Sequence, residues 1–136
     1  MTTAAVPLVR RPWCSSVAGS PVPVVRRVRW AAGAVAALVV LVAIWPGHWW
    51  GVAALLLPDL PLLLPRAWAQ QGRLRPWVVP LYNVAHAVAG PFVLLAIGAA
   101  AGAGTVVGVA AGWLVHVAVD RAAGYDLRDS SGALRQ

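Results

Sequence analysis

Four residues in this 136-residue chain have the chemistry of a metal centre and lie within otherwise apolar sequence: Asp59, His86, His116 and Asp120. His116 and Asp120 are four apart, so on a helix they are neighbours on one face and one helix can supply two ligands. Two imidazoles and two carboxylates suit a divalent zinc, manganese or iron ion. The same side chains can instead satisfy one another by hydrogen bonds, or line a path for a proton or a substrate, because an unpaired ionisable group in hydrocarbon costs about 2.5 kcal/mol or more. Other chemistries lack their residues. The chain has no Gly-x-Ser-x-Gly and no phosphate loop, and Tyr82, Thr105 and Tyr125 are the hydroxyls near the apolar runs. The single cysteine, Cys14, can form neither an intrachain disulfide nor a zinc cluster, and His48 beside Trp49 and Trp50 reads as an interfacial residue.

The elements that carry these residues belong to a membrane protein. The chain is 60% apolar and 11% charged, with a mean hydropathy of +0.74. Its apolar runs predict an all-α, four-transmembrane-helix bundle with spans at 30–46, 49–64, 77–101 and 104–120. A disordered basic tail, 1–29, precedes it, and a short cytoplasmic tail, 122–136, follows. The tail's Arg10-Arg11 pair is not followed by the hydrophobic stretch of an export signal. Trp30–Trp45 spans only about 24 Å at the helical rise, so the first span is short. The second is interrupted by Pro58 and Pro61, and the third should bend at Gly90-Pro91. Pro58 removes the amide that would bond the Ala54 carbonyl, which makes it either a simple kink or an element of the site, since freed carbonyls would lie beside Asp59.

All eleven basic residues are arginine and there is no glutamate. The arginines fall in the N-terminal tail, in the 65–76 loop and after residue 120, while the two other connections have none. Positive loops stay inside, so four spans and two cytoplasmic termini in the cytoplasmic (inner) membrane satisfy every arginine at once. Topology and anionic lipid headgroups at the cytoplasmic side therefore account for the net charge of +7, and nucleic acid is not an expected partner. A second copy of the chain is a further candidate partner. Counted at the helical rise, Asp59 lies about 8 Å from Leu64, and Tyr82 and His86 about 7 and 13 Å from Trp77. Asp59, Tyr82, Asn83, His86, His116 and Asp120 thus overlap in depth in the cytoplasmic half. On the fourth span Gly104, Gly108 and Gly112 lead at four-residue steps into His116 and Asp120, a small-residue stripe for close helix packing. Arg121 would anchor that end at the lipid phosphates.

Three fragments carry a resemblance: Pro58-Asp59-Leu60, Tyr82-Asn83-x-x-His86, and Trp113-x-x-His116-x-x-x-Asp120-Arg121-x-x-Gly124-Tyr125. In order and spacing they resemble the domain of unknown function 4260 family, small four-span membrane proteins with no assigned activity, over roughly residues 27 to 132. Members usually continue Gly-Leu-Lys-Tyr after the Gly-Tyr pair, where this chain reads Asp126-Leu127-Arg128-Asp129. They also place a glutamate near the first span, which this chain lacks. A looser likeness, in residue types and order alone, is to membrane-bound metal-dependent hydrolases. Two readings follow. The first is a non-catalytic membrane protein with a structural His/Asp cluster, supported by Tyr82, Asn83, Arg121 and Tyr125. The alternative is a metal-dependent hydrolase of a lipid or lipid-linked substrate, with a metal-bound water as nucleophile.

Overall fold

A computed structural model describes residues 23–44, 49–69 and 72–135. Cys14, Arg10, Arg11, His48 and most of the expected N-terminal tail lie outside the described residues. The described chain is helical, with no β-strand among the described residues beyond two isolated bridges, Trp68 to Leu74 and Arg128 to Leu134.

Two helices run unbroken. α1 (Val24–Ala43) begins earlier than expected, so Arg26, Arg27 and Arg29 occupy its first turns. α5 (Gly104–Ala123) closes at Gly124, whose left-handed φ of 101° lets the amide of Tyr125 turn back to the Asp120 carbonyl at 2.9 Å. Each has 20 residues, about 30 Å at the helical rise, but three arginines in the first turns of α1 leave it a shorter apolar stretch. α5 is long and apolar enough to cross a membrane. It is also the hub of the fold, packed most extensively on α1 and then on α4 (Ala89–Ala100) and α2 (Trp50–Ala53).

The two segments between them break. Residues 49–64 do not form one helix: α2 is followed by a turn and then by a 3₁₀ segment, Leu57–Leu63. Pro58 has no amide and disfavours α-helix at Leu57, so the chain tightens, and the Asp59 amide bonds the Leu56 carbonyl, three residues back, at 3.3 Å. That leaves the Leu55 carbonyl free for another donor. The next segment is α3 (Val79–Ala85) followed by α4, bent by 41°. The bend centres on Ala87 and not on the expected Gly90-Pro91. A proline withdraws its bond from, and its ring clashes with, the carbonyl four residues back, which for Pro91 is Ala87.

The glycine stripe has its partner inside the chain. A Cβ on Gly112 would collide with the Gly51 carbonyl oxygen, and one on Gly51 would come within 2.7 Å of the Gly108 oxygen. Backbone thus lies on backbone where α2 crosses α5. Gly104 is the first residue of α5.

The expected loop and C-terminal tail form a cap. Ala67, Leu74, Val78, Val79 and Tyr82 make a small core with Leu62 against it, and the Leu74 amide bonds the Gly132 carbonyl at 3.1 Å. The turn after residue 128 is held by the Asp129 carboxylate, which accepts from the Ser131 hydroxyl at 2.7 Å and from the amides of Ser131 and Ala133. These bonds, the Ser131 hydroxyl first, hold the Asp129 carboxyl below its ordinary pKa. The outside is apolar elsewhere: Val35, Leu38, Val39 and Val42 of α1, Phe92, Val93 and Ile97 of α4, and Leu56, Leu57, Leu60 and Leu63 are all exposed.

Candidate metal centre

The helix breaks position the polar residues. The Leu55 carbonyl, released by the switch to 3₁₀ geometry at Pro58, lies 2.7 Å from Nδ1 of His116. His86 ends α3, and its Nδ1 lies 3.0 Å from the Tyr82 carbonyl one turn back. A carbonyl only accepts, so each Nδ1 carries the hydrogen and donates it, and each neutral ring keeps its lone pair on Nε2. The two Nε2 atoms face each other at 3.3 Å.

Two carboxylates complete the group. Asp120 Oδ2 is 3.3 Å from His86 Nε2 and 3.5 Å from His116 Nε2. Asp59 Oδ1 is 3.5 and 3.6 Å from the same two atoms. All four atoms lie within 4.8 Å of one another. With ligand bonds of about 2.0–2.1 Å, a tetrahedral zinc ion sets its ligand atoms about 3.3–3.4 Å apart, close to the five separations here. With both rings neutral, four lone pairs converge with no donor hydrogen among them. A proton on one Nε2 would supply one donor to the carboxylates, as a hydrogen-bonded staple requires, whereas charging both imidazoles would set two N–H groups and two like charges face to face at 3.3 Å. One divalent cation at the centre answers all four lone pairs and both negative charges.

The surrounding residues hold this arrangement. The Tyr82 ring stacks on His86 at 3.9 Å, and the Arg128 guanidinium lies 5.3 Å from the centre of the Tyr82 ring and 5.5 Å from that of Trp68. Asn83 bonds the Arg128 backbone reciprocally, amide to carbonyl and carbonyl to amide, both at 2.8 Å. The bend between α3 and α4 exposes two carbonyls that α5 side chains take. Arg121 donates to the His86 carbonyl at 3.2 Å, and the Trp113 indole donates to the Ala85 carbonyl at 2.6 Å.

Several expectations change here. Arg121 is buried and does not reach out to phosphates; beyond His86 it pairs with Asp126, which also pairs with Arg26 of α1. Tyr125 contributes its backbone carbonyl to Arg121 at 3.4 Å, while its side chain is exposed. Asp126, Arg128, Arg26 and Trp113 were not among the expected site residues. The signal for Asp126 was its scarcity: the chain has four acids, and this one follows Gly124 closely on a helix end that carries an arginine. A groove of about 380 Å³ lined by Arg26, Arg29, Trp30 and Gly33 shares no residue with the four-ligand group.

No curated protein and no solved structure matches the chain. A family model does: the one described as Domain of unknown function (DUF4260) matches residues 25–134. That range takes in both helix breaks, the four converging His and Asp side chains and the cap, and the chain therefore belongs to the domain of unknown function 4260 family.

Proposed function

We propose that this protein is a multi-pass protein of the cytoplasmic membrane that holds one divalent metal ion between Asp59, His86, His116 and Asp120. One observation carries the metal reading. Both imidazoles are turned by carbonyl bonds so that their Nε2 lone pairs face each other and two carboxylate oxygens. Orientation of a ligating histidine through its other nitrogen is the usual outer-shell device of metal sites. The membrane reading is supported by α5, long and apolar enough to cross, and by the bent α3–α4 pair as a second crossing; the apolar part of α1 and the broken 49–64 segment would be the other two of four crossings. Large apolar side chains exposed along α1, α4 and the 3₁₀ segment are the surface that lipid would cover. Arginine placement supports both termini inside.

The structural reading, a hydrogen-bonded staple, predicts a different response to metal. After purification in detergent and incubation with zinc, manganese or iron(II), the wild type is expected to retain one ion per chain. It should also melt later, by mass action worth about 2.7 kcal/mol at a hundredfold excess over Kd. His116→Ala and Asp120→Ala should lose the increment and bind more than about a hundredfold more weakly, beyond the cost of losing an outer-shell partner. A wild type that holds no ion and melts identically with metal or chelator would leave the staple. For the topology, reporter fusions at residue 1, in 46–49, in 65–76 and after Gln136 should read in, out, in, in; an external C-terminus overturns the four-crossing arrangement.

A further inference from the structure

The geometry points to a metal centre that opens sideways into the cytoplasmic leaflet and takes as a further ligand an oxyanion headgroup of a membrane amphiphile. This rests on the metal reading above. The four ligands are unequally covered: 3% of the His86 side chain is exposed, 11% of His116 and 26% of Asp120, but 49% of Asp59. The centre is therefore open at Asp59. From the cap it is closed, because Tyr82 lies flat on His86 within the core of Ala67, Leu74 and Val78, and buried Arg128 lies over Tyr82. At the open side the chain presents leucine. Three residues make a turn of 3₁₀ helix, so exposed Leu56 stands one turn before Asp59 on the same face, and Leu57, Leu60 and Leu63, also exposed, line the adjacent face. A rim of that composition admits an acyl chain and offers a water-soluble ion no partner. Charge selects the headgroup. A divalent ion neutralises Asp59 and Asp120, and Asp126 between Arg26 and Arg121 leaves one positive charge over. An anionic oxygen is thus favoured, whether from a lipid phosphate or a fatty-acyl carboxylate.

Cobalt(II) makes the test direct, because its visible absorption reports changes of coordination. The cobalt-loaded full chain in phosphatidylcholine nanodiscs is titrated with dodecyl phosphate, laurate, inorganic phosphate and acetate. The expected result is a spectral change with one or both amphiphiles at a concentration at least about tenfold below that of the matching short anion, the more effective headgroup identifying the source. Leu56→Glu, which sets a negative charge on the rim, should weaken that response about tenfold while cobalt content stays at the wild-type value. Equal responses to dodecyl phosphate and phosphate, or to laurate and acetate, would mean entry from water and overturn the proposal. So would an unaltered response in Leu56→Glu, or bound cobalt that answers to none of the four, which leaves a closed metal site. Failure to bind cobalt, zinc, manganese or iron at all overturns the metal reading itself.

Discussion

α1 and α5 each run 20 residues without interruption, whereas both segments between them break near a proline. A continuous helix spends its carbonyls on its own amides, so it can offer a site only side chains. α5 does this with His116, Asp120, Arg121 and Trp113. A broken helix offers carbonyls as well, and in a low-dielectric setting each must be satisfied. Here the Leu55, Ala85 and His86 carbonyls are satisfied by His116, Trp113 and Arg121, all from α5. The site is therefore assembled as a pairing: breaks supply acceptors, and the unbroken helix supplies donors and two of the four clustered His and Asp side chains. It also explains why the cluster lies at the end where α3, the 3₁₀ segment and the C-terminal half of α5 meet.

The largest way to break this pairing is to remove the donor that spans the bend. Arg121→Met keeps the length and apolar stem but strands the His86 carbonyl and takes one of two cations from Asp126. Breaking a buried pair by removing one partner costs about 3–5 kcal/mol, and the low end is expected because Asp126 keeps Arg26 and is partly exposed. Thermal unfolding in detergent should register the loss, and Asp126→Asn combined with Arg121→Met should cost much less than the two single changes added. An unchanged melting temperature in Arg121→Met would mean that the bend satisfies its own carbonyl and needs nothing from α5.

A second change acts where the two kinds of segment touch without polar bonds. Gly112→Ala drives a methyl into the Gly51 carbonyl, and backbone on both sides leaves no flexible side chain to yield. An overpacked contact of this kind costs about 1–3 kcal/mol. The same methyl at Gly33, inside α1 with nothing within 4 Å, should instead stabilise by about 0.5–1 kcal/mol through helix propensity. Equal melting temperatures for Gly112→Ala and wild type would show that α2 rides on α5 more loosely than its glycines imply.

The sequence announced part of this. The convergence of Asp59, His86, His116 and Asp120 is legible because His116 and Asp120 stand four apart on one helix and because depth can be counted along apolar runs. Pro58 was legible as a break. The third segment bends before Pro91 because a proline acts on the carbonyl four residues earlier, which placing the bend at Gly90-Pro91 itself overlooks. Arg121 was misread because an arginine at the end of a span ordinarily reaches the headgroups, and only the bend of a different segment gives it an inward acceptor. Arg26, Asp126 and Arg128 fell in stretches without hydrophobic periodicity, where sequence shows charge but not which carboxylate or carbonyl the fold brings near. Tyr125 belongs to the Gly-Tyr fragment yet uses only its carbonyl, so a sequence motif need not mean a working side chain.

The smallest effect falls on the first break. Pro58→Ala restores an amide and lets residues 57 and 58 return to α-helix, which brings the Asp59 amide to the Leu55 carbonyl in competition with His116. His116 would then lose the bond that fixes its tautomer, and loss of an outer-shell partner weakens metal binding about 10–100-fold. The lower figure, about 1.4 kcal/mol, is expected because a carbonyl can accept two hydrogens and the 3₁₀ segment still contains Pro61. The metal-free protein should melt close to the wild type, since a hydrogen bond is exchanged and none is lost. Zinc titrations of the two proteins separate the outcomes. A tenfold loss of affinity at constant stability assigns the first break to orienting the ligand. Unchanged affinity means that His116 is held by Asp59, Asp120 and the metal alone, and that the break at Pro58 shapes the path of the chain without directing the site.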